Sequence, residues 1–477
     1  MDRSYRCPTH PLMILSFVRR LIFVLLLPVV RGILNYGLSG TLSNLLIWET
    51  VLAVVILIIS FARWRRFKLS ADDEFFYVDS GVLFTREAQV RLSRISCVYI
   101  ERQPFTSIFG AVKVSIDTDA GGVKESDFTF FVSSKQVDPL CAALKTVTPK
   151  NRIYLCSTGQ IALMSISNAS ALSGLLVAAT VINNAGKLVG DVLEKRLFET
   201  LDYVTAITSR IIPPAATAVA AVLALGFCVS FTLTLFKHLT FVVRCNKNGF
   251  VIEQGLIWHK RSFVPRSCIG VSVVTMPPLL HIFRRCSLRV VASGYGKNNG
   301  ENSVLFPVEK RSDAARSMRV LGIGDSSAAR PLTLKIPKRA MWRAVFMPIL
   351  WFVLIAAAAV LGCVFFVSLT SLILILAVFL AIIDAYWLYM KIYHTRHGGA
   401  SLSDGVRVYG FAAITLNNSY FERSKVDHFI ITEGPYDRIN RMCTLRVTMR
   451  GEKGYTARTT NLDKPETDAE VKAVYGV

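Results

Sequence analysis

The chain has 477 residues, of which 52% are hydrophobic, and its mean hydropathy of +0.44 is too high for an ordinary soluble protein. We therefore expect membrane-spanning helices. The formal net charge of +22 must lie between those helices, where it can face anionic lipid headgroups. Nucleic acid is a weaker explanation of this charge, because the basic residues flank apolar runs and do not form a compact recognition helix.

The ten cysteines indicate a reducing compartment. They include no Cys-x-x-Cys pair and no Cys/His cluster at metal-ligand spacing, so the sequence predicts neither a disulfide framework nor a zinc site. Near the start of the chain, the basic pair Arg19 and Arg20 precedes an apolar run that no cleavage site follows. We interpret this run as a retained first span.

Six apolar runs are near the roughly 20 residues that a helix needs to cross a bilayer. They occur in pairs, which predicts three helical hairpins. Basic residues follow the first pair at Arg63, Arg65 and Arg66, and the bias of Lys and Arg toward cytoplasmic flanks places the next segment inside the cell. Both termini are therefore predicted to be cytoplasmic. The runs are 17–36, 42–62, 160–186, 211–236, 344–367 and 370–390.

A strand-like segment follows each hairpin. Val112, Val114 and Ile116 alternate with polar residues, as in a half-buried strand, and Ser133 to Val147 carries apolar residues at helical spacing. Each segment is therefore predicted to be a set of strands closed by one helix, a small barrel or sandwich. The predicted order is hairpin 1–62, strand domain 63–150, hairpin 151–240, strand domain 241–325, basic linker 326–343, hairpin 344–390 and strand domain 391–477.

An internal repeat relates the three strand domains. An offset of 174 residues aligns Gly81 with Gly255 and Pro104 with Pro278, and a further offset of 157 aligns Pro278 with Pro435. The same offsets superpose an Ile or Val position and an alternating strand in every copy. Because so many pairs share each offset, the sequence predicts three copies of one unit.

The first copy carries a family resemblance. Its stretch FYVDSGVLFTREAQVRLSRISCVYIERQPFTSIFGAVKVSIDTDAGG, Phe76 to Gly122, resembles the bacterial pleckstrin-homology (PH)-like domain of YdbT-type membrane proteins. The resemblance implies a seven-stranded β-barrel capped by a C-terminal helix. The predicted fold class is thus an α+β membrane protein with six transmembrane helices in three hairpins, alternating with three PH-like β-barrel domains.

The middle domain, 241–325, is the most basic of the three. It carries 13 basic and 5 acidic residues, which predicts a surface that binds anionic lipid or a protein partner, at about 1 kcal/mol per basic residue. The alternative is a solvated positive face that only fixes the membrane topology. The predicted binding residues are Lys260, Arg261, Arg266, Arg284, Arg285 and Arg289.

Charged residues also occur within the predicted spans. Arg31 and Glu49 stand at similar depth in the first hairpin, so we predict an intramembrane ion pair between them; the alternative is that each reaches the outer interface. Asp384 is predicted to be an interfacial carboxylate in the last span. His394 and His397 are two ligands alone, which is too few to predict a metal site.

The sequence contains no catalytic arrangement of Ser, His and Asp, no Cys-His order and no phosphate-binding glycine loop. It predicts a non-enzymatic, multi-pass protein of the bacterial inner membrane, without cofactor or metal, that binds anionic membrane lipids or protein partners. A companion PH-like membrane protein and a homo-oligomer are further predicted partners. The alternative function is a lipid or peptide transporter or exporter component. A role in envelope stress or antimicrobial tolerance follows from the family resemblance alone.

Overall fold

The structure is a computed structural model with two compact units. The first comprises Met1–Ile153, Val242–Cys268 and Ala292–Glu301, and the second comprises Tyr154–Phe241, Ile269–Val291 and Asn302–Val477. The described residues are 5–18, 42–82, 84–118, 126–146, 152–168, 214–245, 248–292, 304–321, 331–402, 405–412, 414–449 and 455–475.

Two antiparallel sheets hold the strands of the first unit. One has the order β1-β2-β3-β4, formed by Tyr5–Cys7, Lys68–Ala71, Phe75–Ser80 and Arg86–Arg91. The other has the order β7-β6-β5-β11-β10-β9-β8. Its strands in chain order are β5 (Ile95–Arg102), β6 (Ala111–Thr118), β7 (Phe128–Ser133), β8 (Arg152–Leu155), β9 (Val242–Cys245), β10 (Gly249–Gln254) and β11 (His259–Pro265).

Two further antiparallel sheets hold the strands of the second unit. The larger has the order β14-β13-β12-β18-β17-β16-β15 and the smaller the order β19-β20-β21. Their strands are β12 (Ile269–Met276), β13 (Arg285–Ala292), β14 (Val304–Lys310), β15 (Leu334–Lys335), β16 (Gly399–Ser401), β17 (Val406–Ala412), β18 (Thr415–Phe421), β19 (Val426–Thr432), β20 (Met442–Met449) and β21 (Thr456–Asp463).

Helices of two kinds accompany the sheets. Long apolar helices lie at or near the predicted spans, and shorter helices follow or interrupt the strands. In chain order they are α1 (Leu42–Arg66), α2 (Pro104–Ile108), α3 (Val137–Ala143), α4 (Thr158–Asn168), α5 (Pro214–His238), α6 (Pro278–Ile282), α7 (Ala314–Leu321), α8 (Met341–Phe365), α9 (Thr370–His397), α10 (Pro435–Ile439) and α11 (Lys464–Tyr475).

The sheets cross the boundaries of the predicted strand domains. β5 belongs to domain 63–150, yet it pairs with β11 of domain 241–325, with Tyr99 opposite Ser262. β12 pairs in the same way with β18 of domain 391–477, with Val273 opposite Ser419. Each of these ladders therefore joins the later strands of one domain to the earlier strands of the next.

The two joining ladders share one register. Adding the offset of 174 to Tyr99 gives Val273, and adding the offset of 157 to its partner Ser262 gives Ser419, which is opposite Val273. The first ladder is buried in a common core, because Val251 and Phe263 pack in one cluster with Val98. Removal of this apolar surface from water stabilises the pairing of β5 with β11.

The predicted fold class is wrong in two respects. Two of the described helical segments, Lys338–Phe365 and Thr370–His397, are long and apolar enough to span a membrane, instead of six in three hairpins. None of the sheets formed by the described strands closes into a barrel. The physical reason is that β5 and β12 take their edge partners from the following domain. The predicted runs 17–36 and 160–186 lie mostly outside the described residues.

Candidate functional site

A cavity of about 410 Å³ lies near the end of α9, within the second unit. One side is the aromatic face of α9, and the other comes from α6, the turn after it and the residue that follows β14. The described lining contains two arginines and no acidic residue. It consists of His281, Ile282, Arg284, Arg311, Tyr386, Tyr389 and Tyr393.

Helical spacing produces the aromatic side of the cavity. Tyr386, Tyr389 and Tyr393 follow one another at three and four residues, so their side chains share one face of α9. His397 extends the row, and its ring stacks on Tyr393 with 4.3 Å between ring centres. Tyrosine is enriched where a spanning helix meets the polar headgroups. This face therefore has the composition of a membrane interface.

A short helix and a tight turn form the other side. Pro278 begins α6, where the fixed backbone angle of proline suits the first turn of a helix. The ring of His281 then lies 5.0 Å from Tyr393, edge to face. The chain turns at Arg284, whose φ of 53° is left-handed and whose N–H donates to the carbonyl of His281 at 3.0 Å. This turn holds Arg284 beside the cavity.

The second arginine comes from a different segment of the chain. The N–H of Arg311 donates to the carbonyl of Arg284 at 3.2 Å, so the two backbones are in direct contact. The Arg311 guanidinium carbon lies 5.5 Å from the centre of the Tyr393 ring, a cation–π distance. The cavity therefore brings two positive charges to one aromatic helix face.

The imidazole of His281 does not add to this charge at neutral pH. Burial, reinforced by the nearby charge of Arg311, lowers the pKa of His281 below its ordinary value. The ring is consequently neutral at pH 7 and can donate or accept a hydrogen bond. The permanent charge of the site comes from Arg284 and Arg311.

The predicted basic cluster is divided equally between the two units. Of its three members in the first unit, Lys260 lies 3.7 Å from Glu101, and Arg261 lies 3.0 Å from Glu253. Arg266 lies over the Phe250 ring, 5.6 Å from its centre. Lys260 and Arg261 are thus paired with carboxylates of neighbouring strands, which reduces the charge they present to an external anion.

Glu101 is shared by two lysines, because Lys113 also approaches it at 3.0 Å. Replacement by glutamine would leave both ammonium groups partly buried without their counter-charge. We expect Glu101→Gln to lower the free energy of unfolding by about 1–2 kcal/mol, measured by denaturant titration in detergent. The matched control is Asp427→Asn, whose pair with His428 is exposed and is expected to contribute less than about 0.5 kcal/mol. Equal losses in the two variants would contradict the structural role of Glu101.

The three members in the second unit have different surroundings. Arg284 lines the cavity. Arg285 begins β13 opposite Lys310, and Arg289 is half-buried further along that strand, where burial lowers the pKa of its guanidinium. Of the six predicted binding residues, Arg284 is the one that the structure places at the cavity.

The remaining predicted sites gain little support. Arg31 and the side chain of Glu49 lie outside the described residues, so their ion pair stays a prediction. Asp384 is buried on α9. His394 is also buried, with its Nε2 atom 3.3 Å from the carbonyl of Tyr409, whereas His397 stacks on Tyr393. Within the described part of the chain, no three His, Cys, Asp or Glu side chains are grouped to hold a metal ion.

Sequence reasoning missed most of the cavity. The spacing of the tyrosines near the end of the last span is a signal that could have found the aromatic face. Arg311 carries no such signal, because only the pairing of β13 with β14 brings it beside Arg284. His281 was overlooked because a single histidine after a Pro-Pro pair is not distinctive.

Comparison with known proteins supports the family resemblance. The model of the Bacterial PH domain family matches residues 21–180. The UPF0699 transmembrane protein YdbT of Bacillus subtilis (strain 168) is 20% identical over 336 residues. Residues 21–180 are thus similar to a bacterial PH domain, and the chain is similar to a YdbT transmembrane protein. The alignment covers 66% of this chain and 66% of the relative, just under two thirds of its length. No solved structure matches the chain.

The similarity to a transmembrane protein agrees with the two apolar helices that are long enough to span a membrane. The family match ends at residue 180, whereas the cavity is lined by residues from His281 onward. The match therefore assigns no role to the cavity.

Proposed function

We propose that this protein is a non-enzymatic membrane protein that binds the anionic headgroup of a membrane lipid in the cavity of the second unit. The observation that carries the proposal is the joint placement of Arg284 and Arg311 at the aromatic face of α9. The phosphate of a lipid fits this chemistry, because a guanidinium donates two parallel hydrogen bonds to phosphate oxygens.

The position of the cavity on a candidate span supports a lipid over a soluble anion. α9 is apolar along most of its length and carries its tyrosines toward its carboxyl end. A lipid can place its acyl chains along the apolar part of such a helix while its headgroup meets the arginines. Tyrosine hydroxyl groups then add hydrogen bonds at the same level.

We also propose that the chain contains three copies of one unit, with its termini on the cytoplasmic side of the bacterial inner membrane. The common register of the β5–β11 and β12–β18 ladders supports the repeat. Basic residues at the carboxyl ends of α1 and α5 support the orientation, since cytoplasmic flanks are enriched in Lys and Arg. A role in envelope stress or antimicrobial tolerance rests on the family resemblance alone.

The double variant Arg284→Gln/Arg311→Gln tests the headgroup site. Two basic contacts of about 1 kcal/mol each correspond to a loss of affinity of more than about tenfold. The measurement is the binding of phosphatidylglycerol to the full-length protein, purified in a neutral detergent, by native mass spectrometry. The same titration with phosphatidylcholine gives the baseline for lipids without net charge.

Lys310→Gln/Arg316→Gln is the matched control. It removes the same net charge from exposed positions that do not line the cavity. We expect it to retain the affinity for phosphatidylglycerol. Equal weakening in the two double variants would show that only the overall charge matters, and the cavity proposal would fail.

The alternative of a transporter or exporter component stays a prediction. It requires several helices around a polar path. The cavity favours headgroup binding because it lies beside one helix, α9, and is lined on its other side by the α6 turn.

A further inference from the structure

We propose that β4 of one molecule pairs with β19 of a second copy of this chain, in the same antiparallel register that joins β5 to β11 and β12 to β18. The proposal rests on the repeat and is independent of the lipid site. It predicts a head-to-tail assembly, because two different edges of the molecule meet.

The repeat makes β4 and β19 the two remaining members of a series. β4 occupies the position in its copy that β11 and β18 occupy in theirs, and β19 occupies the position of β5 and β12. Among the described strands, β4 ends the four-stranded sheet and β19 ends the three-stranded sheet. The edge strand of a sheet is a template for a further strand.

The offsets also fix which residues would meet. Val273 opposite Ser419 in the second ladder corresponds to Ile430 opposite Ala88. One further pair along the strand is Thr432 opposite Arg86. A register displaced by one residue would turn each side chain to the wrong face, so the match is a sharp prediction.

The exposure of β19, compared with the burial of the equivalent positions of β5 and β12, supports the pairing of a further strand with β19. Tyr99 and Val273 are 2% and 3% exposed in the two joining ladders, whereas Ile430, at the same position in the third copy, is 40% exposed. A third strand pairing would cover this isoleucine as the others are covered. The free energy of that burial favours association.

The β4 side is consistent with the same arrangement. Val90 is half-buried, whereas its equivalents Val264 and Phe421 are buried. Both of those residues lie in strands that have a neighbour on each side. The contrast in exposure therefore occurs on both strands that the proposal brings together.

Charge also matches at the end of the proposed ladder. The N–H of Glu422 donates to the carbonyl of Gly270 at 2.9 Å, one residue beyond the Val271–Phe421 pair at the end of the β12–β18 ladder. The equivalent pair across two molecules is Arg91 opposite Asp427, a cation facing a carboxylate. Opposite charges directly across an antiparallel ladder are favourable.

The same hydrogen bond identifies positions suited to a disulfide. Pairs alternate between hydrogen-bonded and non-hydrogen-bonded, and the Gly270–Glu422 pair is bonded. Ile430 with Ala88, and Thr432 with Arg86, therefore fall at non-hydrogen-bonded pairs, where side chains are closest. Diagonal positions two residues apart are roughly 7–8 Å distant, which is too far for a disulfide.

Cysteine crosslinking of the full-length protein in membranes tests both the contact and its register. Two differently tagged populations are co-expressed, one with Ala88→Cys and the other with Ile430→Cys, and are oxidised mildly. We expect a product of twice the 52.9 kDa chain that carries both tags. Arg86→Cys with Thr432→Cys is expected to behave alike, and the diagonal combination Ala88→Cys with Thr432→Cys to give at least about tenfold less product.

The wild-type chain, oxidised in parallel, measures the background from its ten native cysteines. Equal yields from matched and diagonal pairs would overturn the register. A product no stronger than background, or a crosslink to a chain of another mass, would overturn pairing with a second copy.

Ile430→Lys supplies an independent readout by placing a charge at the centre of the proposed contact. The side chain is partly exposed in the single chain, so the variant is expected to fold. We expect loss of the oligomer in light scattering, whereas Arg284→Gln/Arg311→Gln should retain it. A wild-type protein that is monomeric at every concentration tested would refute the assembly and leave the lipid site untouched.

Discussion

Gly410→Ala is expected to lower the free energy of unfolding by about 4 kcal/mol. Gly410 is buried in β17 at a point where the backbone of β21 passes close to it. A Cβ atom added there would lie 2.0 Å from the carbonyl oxygen of Arg458 and 3.1 Å from its carbonyl carbon. A backbone group cannot rotate away as a side chain can, so the two strands must separate.

The separation would disrupt a hydrophobic core of the second unit. Val408 and Ala457, on β17 and β21, belong to one cluster of buried apolar residues, so moving the strands apart opens the contacts around both. The measurement is the free energy of unfolding in detergent, from a denaturant titration followed by tryptophan fluorescence. Retained stability would mean that β21 does not approach β17 as closely as the structure shows.

Gly159→Ala is the control, because it is the same substitution in open space. Gly159 is an exposed residue of α4, and an added Cβ would meet no atom within 4 Å. Alanine is favoured over glycine in a helix, so stability should rise by up to about 1 kcal/mol. The opposite signs of the two effects separate the close approach at Gly410 from the general effect of losing a glycine.

Local patterns in the sequence predicted many of the secondary elements. The alternation around Val114 marks β6, and the apolar spacing of Ser133 to Val147 contains α3. The third apolar pair coincides with α8 and α9. These elements follow from side-chain periodicity within one segment, which a single sequence records directly.

Other expectations were overridden by tertiary contacts. The helix expected to close the middle strand domain begins at Ala314, after residues 304–310 have formed β14 and paired with β13. β6 was expected to be half-buried, yet Ser115 and Asp117 on its polar side are also fully buried. Burial on both faces of a strand depends on segments distant in sequence.

The exchange of strands between domains could not be predicted from local patterns. Because the offset of 174 residues aligns the segment of β4 with that of β11, both are candidate partners for β5, and the sequence does not say which one is used. The sequence-based prediction closed each domain on itself, whereas the structure pairs β5 with β11. A closed barrel and a chain of shared sheets satisfy the same alternation of apolar and polar residues.

The candidate site was predicted only in part. Excess positive charge pointed to residues 241–325 and therefore to Arg284, which lines the cavity. Lys260 and Arg261 were assigned to the same surface, but carboxylates on adjacent strands pair with them. Formal charge counts cannot distinguish these cases, because they ignore the neighbours that folding supplies.

Tyr99→Ala should destabilise the protein by about 3–5 kcal/mol, the range for removing a large buried aromatic side chain. Tyr99 lies opposite Ser262 in the β5–β11 ladder and is 2% exposed. Its ring also lies 4.8 Å from the ammonium of Lys260, a contact that the variant loses. The loss should appear in the free energy of unfolding of the full-length protein in detergent.

Trp258→Ala provides the comparison, since it removes an even larger aromatic side chain from the turn that precedes β11. Trp258 is 45% exposed, so its removal should cost less than about 1 kcal/mol. If β5 paired with β4 of its own domain instead of with β11, the loss of the Tyr99 side chain would not affect β11.

The decisive measurement is therefore the protection of the β11 amides from hydrogen exchange. This protection should fall in Tyr99→Ala, because β11 then loses packing against β5. Unchanged protection of the β11 amides would contradict the pairing of β5 with β11.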